Sequence, residues 1–113
     1  MEDKKMRLPA IALRGLTVLP QMTINFDIIR GKSIAAVEKA MVGDQKVLLI
    51  TQVKPEEMNP DMEDLFHIGT VGFVKQLVKM PGGMVRVTVE GLEKAELLEL
   101  DNSGSTLTAT AEL

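Results

Sequence analysis

Apolar residues recur along this chain at two spacings, and the change of spacing divides it into elements. Residues 9–14 read as a short apolar strand with Ile11 and Leu13 on one face. Residues 16–19 extend it towards Pro20, which has no donor N–H and belongs in a loop or at a sheet edge. A second strand covers 24–29, with Ile24, Phe26 and Ile28 on one face. The period then lengthens. Ile34, Val37 and Met41, joined by Ala36 and Ala40, form one stripe of a helix over 32–42. Ser33 suits its cap or first turn, and Gly43 suits a left-handed position just past its end.

Residues 46–52 are apolar without alternation, the mark of a strand buried on both faces. The acidic stretch 54–64 holds two prolines and no period, so it reads as a solvent-facing loop, with Asn59-Pro60 opening a short helical turn that ends near Phe66. A long strand follows over 68–80, where Gly69 and Gly72 point to a bulge or a close backbone approach. Pro81-Gly82-Gly83 is a turn. Beyond it Val85, Val87 and Val89 alternate with Arg86, Thr88 and Glu90, completing a hairpin. A further strand over 92–100 follows a kink at Gly91. After a turn at 101–104, Leu107, Ala109 and Ala111 alternate with Thr106, Thr108 and Thr110.

The pattern therefore predicts a mainly β fold with one main α-helix (α+β). About six strands form a mostly antiparallel sheet curled into a barrel or sandwich, with the helix covering one opening. Residues 1–7 read as a charged, flexible lead-in. The strand-like alternation still runs at 111–113, which reads as a piece of a longer protein.

Composition narrows the class. Of 113 residues, 45% are hydrophobic and 26% charged, ordinary values for one globular domain and unlike a disordered chain. A net charge of −3 leaves no basic excess for phosphates, which opposes nucleic-acid binding. With no cysteine there is no disulfide, thiol nucleophile or thiolate metal site. Neither a signal-peptide core nor an apolar run of about 20 residues is present, so the expectation is a cytoplasmic protein without membrane contact. Eight methionines stand beside three phenylalanines. Methionine fills irregular core gaps or builds adaptable binding surfaces, and most of these read as core.

The search for catalytic chemistry returns little. Gly31-Lys32-Ser33 resembles the end of a phosphate loop, but Phe26 stands where that loop needs its first glycine, so the segment reads as a helix start. His67 is the lone histidine and has no nucleophile near it in sequence, so it reads as structural or on the surface. Glu56, Glu57, Asp61, Glu63 and Asp64 lack the spacing of a calcium loop and read as a solvated acidic loop. No catalytic residue, cofactor site or metal site is expected. What remains is residues 19–22, Leu-Pro-Gln-Met, apolar side chains in a loop. Two readings stay open: an exposed interaction patch, or Leu19 and Met22 folded back into the core.

Taken together, the segments resemble the N-terminal domain of the bacterial Lon ATP-dependent proteases. The resemblance rests on Leu8-Pro-Ala-Ile-Ala-Leu-Arg-Gly-Leu-Thr-Val-Leu-Pro-Gln-Met22 and Lys32-Ser-Ile-Ala-Ala-Val-Glu-Lys-Ala-Met41. Val47-Leu-Leu-Ile-Thr-Gln52, Asp64-Leu-Phe-His-Ile-Gly-Thr-Val71 and Val85-Arg-Val-Thr-Val-Glu-Gly-Leu-Glu-Lys-Ala95 complete it. It covers 8–113, and Gln21 departs from it where many relatives carry glycine. It implies a six-stranded PUA-like pseudo-barrel with a covering helix, the β-rich first lobe of a chain whose helical lobe, ATPase and Ser–Lys protease modules lie elsewhere. It implies ATP and Mg in that parent chain, none in this lobe, and a homo-hexamer. The implied partners are unfolded or damaged protein substrates; the exposed-patch reading of the loop places their capture, through exposed hydrophobic segments, on Leu19, Pro20, Met22 and Ile24. The alternatives are a lobe that mainly supports the hexamer, or a stand-alone binding domain of this type.

Overall fold

The computed structural model describes residues 5–29, 31–56, 60–104 and 106–113. The elements run β1 (Lys5–Leu13), β2 (Thr23–Ile28), α1 (Gly31–Met41), β3 (Lys46–Thr51), β4 (Ile68–Lys79), β5 (Val85–Asp101) and β6 (Thr108–Glu112). Short 3-10 turns occupy Met62–Asp64 and Pro81–Gly83. The mainly β fold with one helix is the one the pattern implies.

All six strands share one sheet in the order β2-β5-β4-β3-β1-β6, and β6 returns to pair with β5. Five strands thus close a ring, and β2 stands outside it, paired with β5 alone. Among the described residues only β1 and β3 run parallel. The length of β5 makes the closure possible. Its first part, Val85 to Glu90, carries β2, and its second part, Glu96 to Asp101, carries β6.

The unbroken apolar run of β3 is explained by its place between two cores. Val47 and Leu49 join Val37 and Ala40 of α1, Ile11, Leu13 and the alternating valines of β5. Leu48 and Ile50 point the other way, to Leu8, Ala10, Leu97 and Ala109 inside the ring. Each such fully buried aliphatic side chain contributes about 1.5–3 kcal/mol. The helix buries Ala36, Val37 and Ala40 and exposes Glu38 and Lys39, as its stripe requires. At the hairpin, Gly82 and Gly83 both take positive φ (83° and 80°), a pair that side chains with a Cβ adopt only under strain.

Several expectations are corrected. The lead-in does not extend to residue 7, because Lys5, Met6 and Arg7 already pair with Glu112, Ala111 and Thr110 of β6. Residues 16–19 do not prolong β1. The Leu16 and Val18 carbonyls accept from the hydroxyls of Thr51 and Thr70, side chains of β3 and β4, and not from a strand backbone. The left-handed residue after α1 is Gln45 (φ 63°), not Gly43. Two bonds to Val74 hold it there: the Gln45 side-chain amide donates to the Val74 carbonyl (2.7 Å) and the Val74 N–H donates to the Gln45 carbonyl (2.8 Å). The expected continuation past Gly91 is present, within one strand, and the kink there coincides with a register shift, Val71 pairing with Glu93 and Gly72 with Gly91. Asn59 lies outside the described residues. The helical turn starts after Asp61, whose N–H donates to the Asp64 carboxylate (2.9 Å). Gly72 does mark a register shift, and a Cβ there would meet Leu49 Cδ1 at 2.6 Å.

Candidate functional site

Residues 14–22 leave the end of β1 and cross the sheet surface before entering β2, and three strands hold them down. The Thr51 hydroxyl of β3 donates to the Leu16 carbonyl (2.9 Å). The buried Thr70 hydroxyl of β4 donates to the Val18 carbonyl (2.6 Å). On β5, the Gln21 N–H donates to the Gly91 carbonyl and the Gly91 N–H to the Met22 carbonyl, both at 2.8 Å. Val18 itself is buried in the helix-side core. The loop is a fixed ridge on the barrel.

Its apex is a β-turn, with the Met22 N–H donating to the Leu19 carbonyl (3.1 Å). Proline at the second position and positive φ at the third (Gln21, 71°) are the marks of a type II turn. The turn lies directly on β5. A Cβ on Gly91 would collide with the Leu19 carbonyl oxygen and come within 3.2 Å of the Pro20 Cα, so glycine is required there by close approach.

Of the four residues expected to bind substrate, Leu19, Pro20 and Met22 lie on this ridge and Ile24 follows it in β2. Leu19 is 51% exposed at the apex. Pro20 beside it is half-buried. Met22 and Ile24 are half-buried and packed against the helix-side core. The structure divides the loop: Leu19 faces out, and Met22 folds back onto the core.

The structure also exposes apolar side chains on β4 and the segment before it that the sequence reading did not single out. Val53 (47%), Phe66 (53%) and Ile68 (60%) are exposed. Val53 and Phe66 flank the bridge between Gln52 and Leu65, with the Phe66 N–H donating to the Thr51 carbonyl (3.0 Å) and the Val53 N–H to the Asp64 carbonyl (2.8 Å). The loop touches this bridge through Thr17, whose hydroxyl lies 3.2 Å from that of Thr51. Ile68 and Thr70 share a face of β4 by alternation, and the loop covers Thr70 only. The available signal was that alternation. It became readable only with the loop's path known.

The ion pairs Arg86–Asp27 and Arg7–Asp101 lie on β1, β2 and β5. Arg86 Nε and a terminal guanidinium nitrogen donate to the two carboxylate oxygens of Asp27 at 2.8 and 3.2 Å, which holds the Asp27 carboxyl below its ordinary range and raises Arg86. The Asp101 carboxyl is lowered by the Ser103 hydroxyl and N–H (2.6 and 3.0 Å), and further by Arg7. His67 is exposed, and its carbonyl accepts the Leu97 N–H (2.7 Å). Gly31-Lys32-Ser33 is the first turn of α1. Glu57 lies outside the described residues, and among those described no three His, Asp or Glu gather to hold a metal ion. Nor is any helix among them long and apolar enough to cross a membrane.

The sequence model of the ATP-dependent protease La (LON) substrate-binding domain matches residues 7–113. This chain belongs to that family. Lon proteases of Brevibacillus choshinensis and Lachnoclostridium phytofermentans are 50% and 45% identical to it, over 84% and 86% of the chain. The match covers 12% of each of those proteins, so the chain spans about an eighth of the Lon proteases it resembles. Among solved structures, the N-terminal domain of Mycobacterium avium complex Lon protease superposes with a TM-score of 0.72 at 18% identity, over 96% of this chain and 55% of that one. A Lon N-terminal domain protein of Xanthomonas campestris gives 0.70 at 11% identity, over 95% and 59%. At those identities the likeness concerns the fold, and it agrees with the ring described above.

Proposed function

We propose that this Lon substrate-binding domain is the capture lobe of a cytoplasmic ATP-dependent serine protease that degrades damaged, misfolded and short-lived regulatory proteins. The ridge at residues 14–22 grips apolar segments that native proteins keep buried. The observation that carries this reading is Leu19, 51% exposed on a turn fastened to β5. A rigid apolar projection loses little conformational entropy on binding, and water released from both surfaces drives the contact. Each contact is weak. In a parent homo-hexamer, six lobes would raise the effective concentration of sites for one substrate chain. ATP and Mg serve the ATPase module of the parent and not this lobe.

Leu19→Asp is the discriminating variant, because Leu19 is exposed whereas Met22 is packed on the core. Fluorescence anisotropy with a permanently unfolded, carboxymethylated protein is expected to show affinity reduced about tenfold, roughly the worth of one buried leucine side chain, with an unchanged far-UV CD spectrum. Met22→Asp is expected to weaken binding too, but with a lowered melting temperature. Equal binding by wild type and Leu19→Asp would remove the ridge from the capture site. No binding by the wild-type lobe would favour a lobe that supports assembly.

A further inference from the structure

β2 is an edge strand with an open side, and the register states which of its groups are unused. Its pairing with β5 has no shift from Thr23↔Glu90 to Ile28↔Val85. Just before it, the Gly91 N–H donates to the Met22 carbonyl. Hydrogen-bonded and non-bonded pairs alternate in an antiparallel ladder, so Ile24, Phe26 and Ile28 exchange bonds with β5, and Thr23, Asn25 and Asp27 do not. Side chains approach most closely in the non-bonded pairs. In agreement, the Thr88 hydroxyl donates to the Asn25 side-chain carbonyl at 2.7 Å, and Asp27 meets Arg86 at 2.8 Å. The backbone N–H and C=O of Asn25 and Asp27 therefore point away from β5. Among the described residues, no backbone bond outside the sheet engages them.

Natural edges are guarded by lysine, proline, a bulge or an unpaired charge. β2 reads Thr-Ile-Asn-Phe-Asp-Ile and has none of these, its one charge being neutralised by Arg86. Beside it lies a cavity of about 220 Å3 lined by Ile11, Leu13, Leu16, Phe26, Ile28 and Ile29. The far wall is the end of β1, beyond the point where β6 stops pairing with it. Arg14, Asp27 and Ser33 supply the polar part of the lining. An apolar cavity of about 150 Å3 is enough to hold a benzene ring, so this one has room for a large aliphatic or aromatic side chain.

We propose that the lobe captures an extended apolar segment of its substrate as an added strand on β2, with one side chain seated in the cavity between β2 and β1. This rests on the reading of the lobe as substrate-binding and names the conformation in which substrate is held. The occupant is an unfolded, β-prone stretch, because an edge offers backbone hydrogen bonds that any sequence can use, and the cavity then selects an apolar residue. A folded protein, whose strands are already paired, presents no such segment.

The test uses a fluorescein-labelled ten-residue peptide of alternating valine and threonine with lysine at each end. Solvent-exchange NMR of the lobe is expected to show the Asn25 and Asp27 amides slowed at least tenfold at saturation. Ile29→Glu, at a position 70% exposed, is expected to weaken the peptide about tenfold with the melting temperature unchanged. Binding that depends on Leu19 but leaves the Asn25 and Asp27 amides unprotected would overturn strand addition and leave the capture reading standing. No peptide binding at millimolar concentration would overturn both. Protection that grows with protein concentration alone, alongside a dimer in sedimentation, would make a second copy the occupant and overturn the substrate as occupant.

Discussion

At residue 21 the chain puts a side chain where the turn geometry favours glycine. Gln21 holds φ at 71° because its N–H is bonded to Gly91 and the Leu19–Met22 turn closes over it. An L-residue in that region costs about 1 kcal/mol. Glycine would relieve the strain but give back part of the gain through a freer unfolded chain. Gln21→Gly is therefore expected to raise stability by about 0.5 kcal/mol, some 2–4 °C in melting temperature. Gln21→Val, β-branched and worse suited to positive φ, is expected to lower it. Thermal melts of the three proteins in the order Gly above Gln above Val would confirm the turn, and a flat series would refute the strain. The departure from the glycine expected at this position was visible in the sequence. Its meaning needed the φ angle.

At the scale of elements, the pairing of β2 with β5 couples a strand junction to pH. The Arg86 hydrogen bonds keep the Asp27 carboxyl below its ordinary range. A depressed folded-state pKa contributes stability above the unfolded value, about 3.9, and loses it as pH falls through the folded value. Both groups are largely solvated, so the effect is small. Asp27→Asn is expected to melt below wild type at pH 7, with the gap narrowing as pH falls below about 3.9. A gap of constant size across that fall would assign the effect to packing instead. The elements were largely legible in advance, because burial on one face or two writes period two, period 3.6 or an unbroken apolar run into the chain. The exceptions have a common cause. Residues 16–19 are apolar enough for a strand, yet Thr51 and Thr70 take their carbonyls. The kink expected at Gly91 was legible, but not its cause, the loop about 70 residues earlier that lies on it.

Over the whole molecule, a closed ring carries an open strand. Every ring strand has two neighbours somewhere along its length, and β2 has one. Local opening should follow that difference. In the free lobe, the amides of Leu48 and Leu49 in β3, buried on both faces, are expected to exchange slowest. Those of Asn25 and Asp27 are expected to exchange at least 100-fold faster than their neighbours Ile24 and Phe26. Amide hydrogen exchange followed residue by residue checks this, and uniform protection along β2 would mean that its outer edge is already covered.

By itself the sequence determined the inventory: six strands, one helix, which face of each is apolar, and membership of the Lon substrate-binding family. Those properties are set by neighbours a few residues apart, whose spacing the chain states directly. Only the tertiary structure decided which strands close the ring, which side of the 14–22 loop faces solvent, and where an edge stays open. Leu19 and Met22 lie three residues apart in the same apolar loop. One is displayed and the other packed, because the bonds from Thr70 and Gly91 orient the turn between them. Such choices are made by contacts 50 to 70 residues apart along the chain, and no local pattern records them.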